Sequence, residues 1–250
     1  MDVWIALFLP FALLLARIGA FFTVLPLFSW RALPMRLRAS LAILTTVFFA
    51  MVRPVGVDAA QIEWMGTVLL LVQEVLHGLA LGLATSFVFL AVQQGGRIIA
   101  MQMGMGDAGI IDPVTGESAL PMGMFFEIAF AMLFLACDGH HLFLLLVSKT
   151  YDVFPVGSGV NTAALAGALV QAGSAMLVLA LKLAAPVLAA FLILAVVLAV
   201  LARVLPEMNV LLTSFPLRVG LGLFMAAVVV PSLDGFTVEI AGWIRKFVVT

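Results

Sequence analysis

The chain has 250 residues, 65% of them hydrophobic and 10% charged, with a mean hydropathy of +1.27. Soluble domains run at about 45–50% apolar and about 25% charged, so a water-soluble fold of this length is excluded and lipid or partner subunits must cover the excess. The formal net charge of −1 offers no basic field for nucleic acid, and the single cysteine, Cys137, excludes an internal disulfide framework and a Cys-based zinc site.

Crossing about 30 Å of hydrocarbon takes about 20 apolar residues in a helix. Such runs fall at 3–28, 39–52, 65–92, 123–147, 173–203 and 215–233. Backbone in lipid must satisfy its own hydrogen bonds, and the short alternating strands of a barrel are missing. The expected fold is therefore all-α: an integral membrane protein of about six long hydrophobic helices or helical hairpins.

The first run, MDVWIALFLPFALLLARIGAFF, lacks a basic start and is too long for a cleavable signal peptide, so it is expected to act as its own insertion signal. It carries Arg17. The second run is short, as a tilted or partly buried hairpin arm would be, and follows the basic cluster WRALPMRLR (30–38). That cluster dominates a weak positive-inside bias that puts the N-terminus outside. In the third run Gly78, Gly82 and Ser86 recur every four residues on one face, and Gly159, Ala163 and Gly167 do so further along. Small residues at this spacing let helix backbones approach closely where no hydrophobic effect drives association.

Between the third and fourth runs lies MQMGMGDAGIIDPVTGESALPM (101–122), where methionine alternates with glycine and three carboxylates follow. The fourth run contains CDGHH (137–141). Adjacent helical histidines are expected to point about 100° apart, which disfavours a shared metal ion, and a helix break at Asp138-Gly139 explains the motif as well. Pro186 lies inside the fifth run and is expected to kink it or divide it into two half-helices.

Arg17, Glu74, His77, Glu127 and Lys182 fall within or beside apolar runs. A charge at the bilayer centre costs about 2.5–3.5 kcal/mol, so each is expected to face protein or water. Glu74 and His77, spaced i, i+3, share a helix face and suit either a proton relay or a buried interface with polar groups of neighbouring chains. The lack of a second carboxylate at matching spacing favours the interface. Motifs for nucleotide binding, zinc hydrolysis and the nucleophile elbow are missing, and Ser118 beside Glu117 has no base placed to activate it. No enzymatic activity and no cofactor are expected. A proton-coupled secondary transporter built on Glu74, His77 and a Pro186-broken helix remains an alternative.

The segments LLARIGAFFTVLPLFSWRALPMRLRASLA (13–42), EVLHGLALG (74–82), GGRIIAMQMGMGDAGIIDPVTG (95–116), GHHLFLLL (139–146), FPVG (154–157) and LARVLPEMNVLLTSFPLRVGLGL (201–223) carry a resemblance in their order and spacing. The chain resembles the FliR family, the export-gate membrane proteins of the bacterial flagellar type III secretion apparatus. It is also similar to the SctT/SpaR-like subunit of virulence injectisomes. The forms R-x-x-P-x-x-N, beginning at Arg203, and Q-M-G…D-P-x-x-G (102–116) are the most specific.

The resemblance implies a single membrane domain over 1–250, with N-terminal hairpins (1–92), a Met/Gly-rich pore loop (93–122) and C-terminal hairpins (123–250). It implies a fused FliP-like plus FliQ-like element in a helical complex with FliP-like and FliQ-like subunits, associated with FlhB-like and FlhA-like export proteins. That complex forms the channel through which unfolded flagellar subunits pass the bacterial inner membrane at the flagellar basal body. Much of it is lifted out of the bilayer. The pore loop plugs the closed channel, which assigns Met101, Met103, Gly104, Met105, Gly106, Asp107, Ile110, Ile111, Asp112, Pro113, Gly116 and Met122 to a gasket. Glycine gives a backbone that moves aside without steric cost, and methionine repacks around whatever passes. A surface loop with incidental methionines is the alternative, although five of the thirteen methionines fall within 101–124.

Overall fold

The computed structural model describes residues 2–25, 34–52, 64–105, 121–157, 159, 162–205 and 210–232. Their regular structure is helical: α1 (Asp2–Val24), α2 (Met35–Val52), α3 (Trp64–Gln102), α4 (Pro121–Ala136), α5 (Gly139–Val153), α6 (Thr162–Val204) and α7 (Val210–Val229), with a closing 3₁₀ turn at Val230–Ser232. Three of them, α2, α3 and α6, are individually long and apolar enough to cross a membrane. Leu44, Val170, Leu192 and Ile193 stay at least 66% exposed on the isolated chain, so the apolar surface outruns what the fold can cover. The protein is an all-helical integral membrane protein.

Several element boundaries differ from the expectation. The run at 123–147 is not one span but two helices, broken at the Asp138-Gly139 step that the sequence marked. Asp138, at φ 57°, takes the left-handed conformation that Asp tolerates better than most residues, and this ends α4 before Gly139 opens α5. Pro186 does not divide α6. Proline removes one backbone bond, and the buried neighbours Leu183, Ala184 and Val187 hold the turns on either side. Residues 93–102, expected in a loop, continue α3 as helix. At 1.5 Å per residue, the 39 residues of α3 and the 43 of α6 reach about 58 and about 64 Å, roughly twice the hydrocarbon thickness.

The described residues form two compact units, one from 2–87 and 139–173, the other from 88–138 and 174–232. In the first, α1 packs on α2 and on α3. A Cβ at Gly78 would collide with the backbone oxygen of Arg17, and one at Gly82 would stand 3.0 Å from Val24 Cβ and 3.1 Å from Phe21 O. Glycine is thus required for α1 and α3 to touch backbone to backbone. Phe21 meets Phe143 edge-on at 6.2 Å, and Phe49 meets Tyr151 at 5.9 Å.

The second unit is built around Phe89, whose ring lies 5.2 Å from Phe130 and 5.5 Å from Phe134, both edge-on. These geometries suit the ring quadrupoles. Gly95 faces Leu183, Gly96 lies against Gly123, and Gly222 of α7 receives the side chain of Met103.

Candidate functional site

Two places hold the residues singled out by the sequence, one in each unit. In the first unit, α1 carries Arg17 and α3 carries Glu74 to the same depth, and both side chains are 1% exposed. Arg17 Nε donates to Glu74 Oε2 at 2.5 Å, and Arg17 Nη1 donates to Phe154 O at 2.9 Å and Thr150 O at 3.5 Å. Those carbonyls lie at the end of α5, where Thr150 O also accepts from Phe154 N–H at 2.8 Å and the helix dipole favours a cation. The guanidinium also covers the Tyr151 ring, 4.4 Å from its centroid.

Glu74 uses its second oxygen, Oε1, to accept from the backbone N–H of Gly157 at 3.1 Å. Gly157 stands at φ +82°, a conformation open to glycine at no steric cost, and this turns the 154–157 segment back onto Glu74. His77 lies one helical turn on. Its Nδ1 is 3.0 Å from Gln73 O, and its ring stacks on Phe154 at 5.1 Å.

Glu74 is therefore already satisfied within its own chain, by Arg17 and Gly157, so the interface reading is not required for this charge. Two lone opposite charges in separate apolar runs were the available signal. The relay reading also loses ground, because both Glu74 oxygens are occupied and the helix that was to be broken at Pro186 is continuous. Arg17 Nη2, His77 Nε2, Gln73 Oε1 and Tyr151 OH are buried without a hydrogen-bond partner.

In the second unit, α3 ends in a glycine-capped turn. Met105 N–H donates to Ala100 O and Gly104 N–H to Met101 O, each at 3.1 Å, with Gly104 at φ +78°. That pair of bonds is the Schellman pattern. Met103 at this cap is fully buried and fills the space left by Gly222, Met101 is 59% exposed, and Met122 at the start of α4 is buried. Gly106, Asp107, Ile110, Ile111, Asp112, Pro113 and Gly116 lie outside the described residues.

Gln93 donates to Glu127 Oε2 at 2.7 Å, joining α3 to α4. Lys182 and Arg203 are exposed on α6, Arg203 in its last turn. Ser86 is buried, its hydroxyl bonded to Leu83 O within the same helix. The rings of His140 and His141 lie 4.2 Å apart at 34°, so these neighbours stack instead of diverging as an ideal helix would have them.

Residues 8–241 match the family described as bacterial export proteins, family 1. The chain belongs to this family. The bacterial export proteins similar to it include the flagellar biosynthetic protein FliR of Pectobacterium carotovorum, 29% identical over 234 residues that cover 93% of this chain and 87% of the relative. The protein of the same name from Escherichia coli is 29% identical over 222 residues, 89% of this chain and 84% of the relative. That of Bacillus subtilis is 30% identical over 233 residues, 91% and 88%. Arg17, Glu74, His77 and the whole Met/Gly segment fall inside the family match.

Proposed function

We propose that the protein is a non-enzymatic, channel-forming subunit of the flagellar type III export gate in the bacterial inner membrane. The observation that carries this reading is similarity to flagellar biosynthetic proteins over nearly the full length of both chains. A second support is physical. Long helices with large exposed apolar faces need sister subunits as well as lipid, and the reading supplies them as FliP-like, FliQ-like, FlhB-like and FlhA-like proteins. The relatives' flagellar names favour this over an injectisome subunit.

Within that reading the segment after Met105 serves as the plug, and the capped end of α3 serves as its stem. Met103 seated against Gly222 anchors the stem. A resting gate must hold back ions yet yield to many unfolded sequences, and soft methionine side chains meet both demands.

A tagged copy is expected to bring down FliP-like and FliQ-like partners; a stable monomer purified without them would sink the proposal. Deleting 106–119 is expected to raise ion conductance through the assembled gate in planar bilayers, and unchanged conductance would remove the plug from the reading.

A further inference from the structure

In the first unit, α2 is buried along one face only. Ala42, Thr46 and Phe49 are covered, with Phe49 against Tyr151, whereas Ile43, Leu44, Val47, Phe48, Met51 and Val52 stay 40–81% exposed. The 18 residues rise about 27 Å at 1.5 Å each, close to the hydrocarbon thickness of about 30 Å.

The hydroxyls of this helix are closed on its own backbone. Ser40 Oγ donates to Leu37 O at 2.9 Å, Thr45 Oγ1 to Leu41 O at 2.8 Å and Thr46 Oγ1 to Ala42 O at 2.7 Å. Each donor is thus spent within the helix, as hydrocarbon requires of it. Contacts between helices in a membrane rely on small residues and on hydroxyls that bond across the gap. The outer face of α2 offers neither: the helix has no glycine, and every residue exposed beyond Ser40 is large and apolar. By contrast, α3 meets α1 through Gly78 and Gly82. Acyl chains fit the outer face of α2 better than a sister helix does.

The charge on α2 sits at one end. Arg36 and Arg38 stand in its first turn, and its 18 residues include no carboxylate to set against them. On a helix of hydrocarbon length, long arginine side chains at one end run their stems along apolar surface and hold their heads at headgroup depth. We propose that α2 binds an anionic phospholipid, with its phosphate headgroup on Arg36 and Arg38 and its acyl chains along Leu44, Val47 and Phe48. A zwitterionic lipid has the same tails, but the cation in its headgroup opposes the two arginines. A basic residue beside an anionic surface is favoured about fivefold.

The test uses the full chain carrying Cys137→Ser, with the subunits that co-purify, in nanodiscs of phosphatidylglycerol and phosphatidylcholine. A bimane label is placed on Leu44→Cys or Leu37→Cys, both at exposed positions. Lipids brominated high on their acyl chains quench a label that they touch. Brominated lipid of either kind is expected to quench at Leu44. At Leu37, brominated phosphatidylglycerol should be about fivefold more effective than brominated phosphatidylcholine in the same mixture. That preference should vanish when Arg36→Gln and Arg38→Gln are combined. With both arginines kept, it should shrink in about 1 M salt, where charge acts over only about 3 Å. Absence of quenching at Leu44 would mean that protein covers the face, and would overturn the proposal. Equal quenching by the two lipids at Leu37, or a preference untouched by salt or by the paired substitution, would overturn it too.

Discussion

The two units hold their helices together with different materials. In the first, a guanidinium, a carboxylate and the carbonyls ending α5 meet at one point, so α1, α3 and α5 are tied by bonds that have direction. In the second, one directional bond, Gln93 to Glu127, links α3 to α4, and Phe89, Phe130 and Phe134 and the seating of Met103 against Gly222 do the rest of the joining, through contacts that depend mainly on shape. Lipid is as apolar as a leucine side chain, so no hydrophobic effect sets the register between helices in a membrane. Directional bonds set it firmly, while aromatic and thioether contacts tolerate sliding. The unit holding the stem of the Met/Gly segment is thus the one built for adjustment.

Removing one partner of the buried ion pair is the strongest way to break this contrast. Glu74→Gln leaves the Arg17 cation buried and unpaired, at an expected cost of about 3–5 kcal/mol. Thermal unfolding of the purified complex reads the loss, and Arg17→Met combined with Glu74→Leu should recover most of it because no charge is then stranded. A double variant as unstable as Glu74→Gln alone would mean that the pair itself does not hold the first unit.

Gly78→Ala comes next. Its methyl group would collide with the backbone oxygen of Arg17, which cannot rotate away, so α1 and α3 must separate. Overpacking of this kind costs about 1–3 kcal/mol, against about 1 kcal/mol gained in helix propensity. A net loss of up to about 2 kcal/mol in the same unfolding assay is expected.

The smallest effect belongs to Gly222→Ala in the second unit. The obstacle there is the Met103 side chain, its Cγ nearest, which unlike a backbone oxygen can take another rotamer. Propensity offsets much of the displacement, so stability should stay within about 1 kcal/mol of the unaltered protein. If Gly222→Ala destabilises more than Gly78→Ala, the second unit is the rigid one and the contrast is reversed.

Much of the architecture was legible in the residue order. Apolar runs located the helices, the four-residue spacing of Gly78 and Gly82 marked the face on which α1 and α3 touch, and Asp138-Gly139 marked a break. Other features were hidden because they depend on separations that no local pattern encodes. Arg17 and Glu74 stand 57 residues apart, and the carbonyl of Phe154 that Arg17 reaches is 137 residues away. Pro186 does not divide its run, since its rule concerns one lost bond and says nothing of the buried turns around it.

The residue string by itself determined the membrane class, the helical content and the family, because those follow from composition, the cost of unsatisfied backbone in lipid, and near end-to-end similarity. Only the tertiary structure decided which charges pair and which glycine admits Met103. Such choices rest on where side chains from distant helices meet, and the energy of a buried charge depends on that meeting alone.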